Sequence, residues 1–252
     1  QDRSRTWAEH TIRVARFASA LRALGIDDGD RVAILAPNSD LYLEAVYAIM
    51  WSGAIVVPLN TRLSPLEIEA NLSDSGANLL IADPALWTST GLSRIMTDLS
   101  VVSIGEEDDG RLTFETLISE HDEGPPSPPP ESGIAAIVYS GGTTGRSKGV
   151  AVSHSGVMVN ALQSISELTI GPDSRWLHSV PLFHIAGIGH TVAIAAKAAT
   201  HVIANKFSPF NTIDLISSWG CTHVALVPTM VAMIMDAYRS KPEAEIGSLQ
   251  YI

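Results

Sequence analysis

Cysteine is nearly missing: Cys221 is the only one among 252 residues, so neither an internal disulfide nor a paired-cysteine zinc pattern can form. A reduced, cytosolic setting is the expectation from that shortage. Charge is scarce at 17% of residues, and 27 acidic against 16 basic side chains leave a formal charge of −11. Binding to a nucleic-acid backbone rests on clustered Lys and Arg, so nucleic acid is not an expected partner. A small anion remains compatible, because a local site can oppose the overall field. Long apolar runs are absent too. Residues 41–59 contain Glu44, Ser52, Gly53 and Pro58, and residues 185–204 are broken by His190, Lys197 and His201. Both read as buried elements and not as membrane spans. What is plentiful is apolar material, 46% of the chain, which suffices for a core and excludes disordered or collagen-like chains.

Arg3, Arg5, Arg13, Arg16 and Arg22 crowd the beginning, as in a transit peptide. Trp7, Val14, Phe17, Ala18, Leu21 and Leu24 nevertheless recur at helical spacing, and a core-facing helix is the simpler reading. Gln1 stands where a starting Met is expected, so sequence is expected to precede it. Thr6 with Glu9 forms a capping box for the first helix, and Gly25 closes it. A strand is expected over 31–36, then a helix capped by Asn38 or Ser39 and ending at Gly53. Further strands fall at 54–59, 78–82 and 101–104, with Ser64, Pro65 and Glu67 opening a helix between the first two. Continuous apolar strands alternating with helices indicate an α/β fold of mainly parallel sheets flanked by helices.

The proline-rich stretch 124–133 excludes regular helix and central strand, and is read as a surface crossing within one domain. Alternation resumes beyond it. Strands are expected at 134–139, 149–153, 176–180, 201–204 and 223–227, with helices starting near Ser155, Ile185, Pro209 and Pro228. A subdomain break is expected within 154–175.

The most informative segment is Tyr139-Ser140-Gly141-Gly142-Thr143-Thr144-Gly145-Arg146-Ser147-Lys148-Gly149-Val150. It leaves one apolar strand and enters another. Its glycines admit backbone angles closed to other residues, so successive amides can surround an anion. Ser140, Thr143 and Thr144 add hydroxyls that suit magnesium, with Thr144 the candidate metal ligand and Thr143 the alternative. Lys148, one of four lysines, supplies a point cation for phosphate oxygens. A plain hairpin between two strands is the competing reading. The segment is neither a Walker A loop, since Ser147 and Gly149 flank the lysine, nor a dinucleotide fingerprint.

This segment resembles the phosphate-binding signature of the acyl-adenylate-forming enzymes, the acyl-CoA synthetases in particular. Gly141 stands where many members carry Ser, and Ser147 where Pro is usual. The similarity continues through Gly29-Asp30-Arg31-Val32, Pro37-Asn38-Ser39, Leu63-Ser64-Pro65, Pro181-Leu182-Phe183-His184-Ile185-Ala186-Gly187 and Thr222-His223 to Val227-Pro228-Thr229. The resemblance implies a two-step ligase. A carboxylic acid, expected to be a fatty acid, and ATP give acyl-adenylate and pyrophosphate, and coenzyme A then gives a thioester. Ser140 to Lys148 would bind ATP with magnesium, Lys148 and His184 would be the catalytic residues, and Trp176, Phe183, Met230, Met233 and Met235 are candidates for an acyl pocket. His154 is read as a helix-entry residue, and zinc binding by His178 and His190 is disfavoured by their spacing. The family's later Tyr-Gly-x-Thr-Glu segment, its ribose-binding Asp and its C-terminal domain are not found, so the chain resembles an N-terminal portion. It is expected to be inactive alone and prone to self-association as a homo-oligomer. A non-catalytic nucleotide- or acyl-binding module and an acyl-AMP ligase are the alternatives.

Overall fold

The computed structural model describes residues 3–92, 99–105, 112–129, 133–140, 147–241 and 243–252. Two compact units result: Gln1–Ala36 with Asp40–Gly156, and Pro37–Ser39 with Val157–Ile252.

The first unit begins with α1 (Trp7–Ala23), whose capping box is formed: the Glu9 amide donates to Thr6 Oγ1 at 3.2 Å and the Thr6 amide to Glu9 Oε2 at 2.7 Å. Phe17, Ala18 and Leu21 are buried along one stripe, as their spacing requires. The crowded arginines are inter-element clamps and not targeting charges. Arg5 and Arg3 meet Asp40, Arg13 meets Glu44 and Glu115, and Arg22 reaches the carbonyls of Trp51 and Pro125. The chain then alternates β1 (Arg31–Leu35), α2 (Asp40–Trp51), β2 (Ile55–Pro58), α3 (Pro65–Ser75), β3 (Leu79–Ala82), the short α4 (Pro84–Ser89), β4 (Ser100–Ser103) and the short α5 (Phe114–Glu120). Neither α4 nor α5 was legible as a periodic pattern, because one or two turns carry too few apolar repeats.

The proline-rich stretch is pinned within this unit, with the Ser127 amide on the Trp51 carbonyl at 2.8 Å and Trp51 Nε1 on the Gly124 carbonyl at 3.0 Å. β5 (Ile134–Ser140) and β6 (Lys148–Ser153) follow, and the sheet order is β4-β3-β1-β2-β5-β6. Every pairing is parallel except β5 with β6. Strands β1, β2 and β3 are buried almost end to end because helices cover both faces. Ala33, Leu35, Val57, Leu59, Leu80 and Ala82 face Ile68 and Leu72 of α3. The intervening residues of these strands point to the opposite face, where α2 packs.

The second unit contains α6 (His154–Glu167, its first turn in the first unit), β7 (Arg175–His178), α7 (Ile185–Ala196), β8 (Thr200–Ile203), α8 (Pro209–Trp219), β9 (His223–Val224) and α9 (Pro228–Arg239). Its parallel sheet has the order β8-β7-β9. Two strands are shorter than their apolar sequence implied. β7 stops at His178 and β9 at Val224, because the following residues are drawn into the turns that start α7 and α9. No helix among the described residues is long and apolar enough to cross a membrane.

Candidate functional site

The stem of the glycine- and hydroxyl-rich segment is a regular antiparallel pair. Tyr139 lies opposite Gly149 and Ser140 opposite Lys148. β5 runs parallel to β2, so Ser140 sits at the carboxyl end of the parallel strands, where open α/β sheets present their ligand sites. A hairpin and a phosphate loop are therefore not alternatives here, since the hairpin is what carries the loop. The sequence reading did go wrong in treating β6 as a second buried strand. Lys148, Gly149 and Val150 are exposed, because β6 forms the sheet's edge. Of the expected nucleotide-binding residues, Ser140, Ser147 and Lys148 lie at this stem. Gly141, Gly142, Thr143, Thr144, Gly145 and Arg146 lie outside the described residues.

Two contacts fix the stem. A Cβ at Gly149 would stand 2.9 Å from Ile137 Cγ2 and 3.3 Å from the Tyr139 ring, so the tyrosine can lie across the strand only over a glycine. The Tyr139 hydroxyl then donates to Asp74 Oδ2 of α3 at 2.8 Å. Asp74 went unnoticed in the sequence, where it is one polar residue on an amphipathic helix. Nothing local reveals a partner 65 positions away.

His184 lies in the second unit, at the N-cap of α7 with an extended backbone (φ −83°, ψ 153°). It is exposed, and its ring lies 4.6 Å from that of buried Phe183. The preceding strand β7 is central in its sheet, so this loop also leaves the carboxyl end of parallel strands. Amides in the first turn of a helix favour an approaching anion. Lys148 and His184 thus occupy equivalent places in two different sheets.

The other histidines serve the core of the second unit. His178 is buried, and its Nε2 lies 2.8 Å from His201 Nδ1. Burial, reinforced by the neighbouring imidazoles of His201 and His190, holds His178 well below its ordinary pKa. Trp176 stacks on His223 at 5.6 Å and lies 4.4 Å from His190. Trp176 is therefore a core residue, whereas Met233 and Met235 are half-exposed on α9. Among the described residues no group of three His, Cys, Asp or Glu side chains converges to hold a metal ion. His154 is the first residue of α6, and its amide donates to the Gly133 carbonyl at 2.8 Å. Cys221 is buried, which pushes its thiol up to about 11 and leaves it a poor nucleophile.

The turn 37–39 departs from expectation. Asn38 does not cap α2, because its side-chain amide is committed to the loop after β7, bonding the Val180 carbonyl at 2.9 Å and the Leu182 amide at 2.8 Å.

Comparison with known proteins agrees with this geometry. The chain is 35% identical over 246 residues to a feruloyl-CoA synthase from an Amycolatopsis species, covering 97% of this chain and 48% of that protein. It is 32% identical over 241 residues to a long-chain-fatty-acid–CoA ligase from Thermus thermophilus, covering 93% and 44%. The chain therefore spans about half the length of these curated relatives. Among solved structures, ATP-bound MatB from Rhodopseudomonas palustris superposes with a TM-score of 0.84 at 26% identity, covering 97% of this chain and 48% of that one. A mainly parallel fold shared with such enzymes, together with a family match extending over residues 1–252, places this chain in the AMP-binding enzyme family.

Proposed function

We propose that the protein carrying this chain is an ATP-dependent acid–thiol ligase. A carboxylate oxygen attacks the α-phosphorus of ATP, the bond to the β-phosphate breaks, and pyrophosphate leaves. The sulfur of coenzyme A then forms a bond to the acyl carbon, and AMP leaves. The observation that carries this reading is the position of Lys148: an exposed cation opposite Ser140, where a glycine- and threonine-rich connection leaves the sheet. Two anions meet in the first step, so positioning and charge neutralisation are the work required of the protein. Lys148 stabilises charge accumulating on the leaving pyrophosphate. The stem clamp of Asp74, Tyr139 and Gly149 keeps that lysine in register with Ser140.

Magnesium bound with ATP would supply further charge neutralisation. Hard cations take oxygen donors, and the Ser140 hydroxyl at the stem fits that requirement. Thr144, or Thr143, would complete the protein's share. His184 borders the acyl carboxylate and the entering thiol in this reading, with the α7 amides favouring the anionic end. The substrate is an acid with an apolar body, a description that covers both the fatty acid expected from the sequence and the acids named for the two relatives. An acyl-AMP ligase would share the first half-reaction and differ in the acceptor.

In the full-length protein, Lys148→Ala is expected to slow ATP–pyrophosphate exchange on the order of 10²-fold, the scale of losing one electrostatic stabiliser. Titration calorimetry with ATP should show weaker binding in the same variant. Unchanged exchange would remove Lys148 from the chemistry, and no ATP uptake by the unmodified protein would end the ligase reading.

A further inference from the structure

Asn38 lies between β1 and α2 in sequence, yet the turn Pro37–Ser39 packs within the second unit. Its side chain is 5% exposed and uses both ends of its amide on backbone 142 and 144 positions away. Nδ2 donates to the Val180 carbonyl at 2.9 Å and Oδ1 accepts from the Leu182 amide at 2.8 Å. The reversed amide would set donor against donor and acceptor against acceptor, so the orientation is determined. The Asn38 carbonyl in turn accepts from Asn205 Nδ2 at 3.4 Å. One side chain thus bonds residues 180–182 much as an adjacent strand would.

Leu182 is held from another direction by Gly187. A Cβ at Gly187 would lie 2.7 Å from both Leu182 Cα and its carbonyl oxygen, so the backbone rests directly on the first turn of α7. Between these holds the chain tightens into a turn, with the His184 amide on the Pro181 carbonyl at 3.2 Å and the Gly187 amide on the His184 carbonyl at 2.8 Å. Residues 180–183 have few conformations left, and His184 emerges from their end.

We infer that Asn38 is a positioning residue for His184, acting through the Val180–Leu182 backbone. The inference rests on the proposed ligase reading only for what His184 serves; the linkage itself is independent of it. Substitution by Asp separates the two bonds. An ionised carboxylate still accepts from Leu182 but repels the Val180 carbonyl, whereas a protonated carboxyl regains a donor.

The test compares Asn38→Ala and Asn38→Asp with the unmodified 252-residue chain, reading amide exchange residue by residue and the His184 imidazole resonance by NMR. At neutral pH the Leu182 amide is expected to exchange about tenfold faster in both variants, the factor for one lost buried hydrogen bond. The His184 resonance should shift, while the Val224 amide, bonded to the Tyr251 carbonyl, keeps its protection. Below about pH 5, Asn38→Asp should recover Leu182 protection and Asn38→Ala should not. Unchanged Leu182 exchange with an unmoved His184 signal overturns the inference. So does a uniform rise across β7, β8 and β9, or failure of both variants to fold, since Asn38 would then merely hold the unit together. None of these readouts requires ligase activity, so a negative result here leaves that reading standing.

Discussion

The two units bury their polar side chains by opposite means. In the first, charge is buried against charge: the Glu44 side chain is fully enclosed, and Arg13 meets it through Nε, at 3.0 Å from each carboxylate oxygen, and Nη2. Arg13 continues to Glu115 at 2.6 Å, tying α1, α2 and α5 into one network. In the second, the buried polar groups are neutral rings. Tyr251, His223 and Trp176 stack in sequence, and His178 shares a hydrogen bond with His201. A buried ion must be matched by a partner, whereas an imidazole can give up its charge and pack as an aromatic. The first solution depends on counter-charges and the second on pH.

The largest effect should come from breaking the ion network. Glu44→Ala leaves Arg13 and Arg5 without their buried counter-charge, and a loss of about 3–5 kcal/mol is expected. Denaturant unfolding followed by amide exchange in β1 and β2 measures it. A loss below about 1 kcal/mol would mean that water already screens this network. Acidification should probe the contrast next. Burial, then the positive charges of Arg5 and Arg13, lowers His10 to about 4, and His178 and His190 are lowered chiefly by burial. A histidine with a depressed folded pKa binds fewer protons folded than unfolded, so stability falls as pH drops from about 6.5 towards 4. The second unit, with two such groups against one, should lose protection at higher pH, as amide exchange in β7 compared with β1 will report. Equal loss would erase the distinction. The smallest effect belongs to charge at the surface of the second unit. Arg239 pairs with Asp236 at 2.6 Å, but both are about three-quarters exposed, and Arg239→Ala should change stability by less than about 0.5 kcal/mol. A thermal melt that shifts by several degrees would show that surface charge does matter there.

Legibility in the sequence followed the range of each interaction. The capping box at Thr6, the apolar strands and the segment from Tyr139 to Val150 are local patterns, and all announce themselves within a dozen residues. The arginines of α1 were ambiguous because their partners lie on α2, on α5 and beyond. Asn38 was misassigned for the same reason: beside Ser39 at the start of a helix it satisfies a local rule, while its actual partners lie in a loop more than 140 positions later. The edge position of β6 was also hidden, since Val150 and Val152 read as buried in any strand until the neighbouring strands are counted.

By itself the amino-acid order determined the alternating elements, their caps and the chemistry available at the glycine-rich segment, because each depends on backbone preference and side-chain type over short distances. Tertiary structure alone decided that β5 and β6 pair antiparallel, that Asp74 holds Tyr139, and that Asn38 spans to the loop before His184. Those outcomes depend on which distant groups meet when the sheets close, and no short window of sequence contains both members of such a pair.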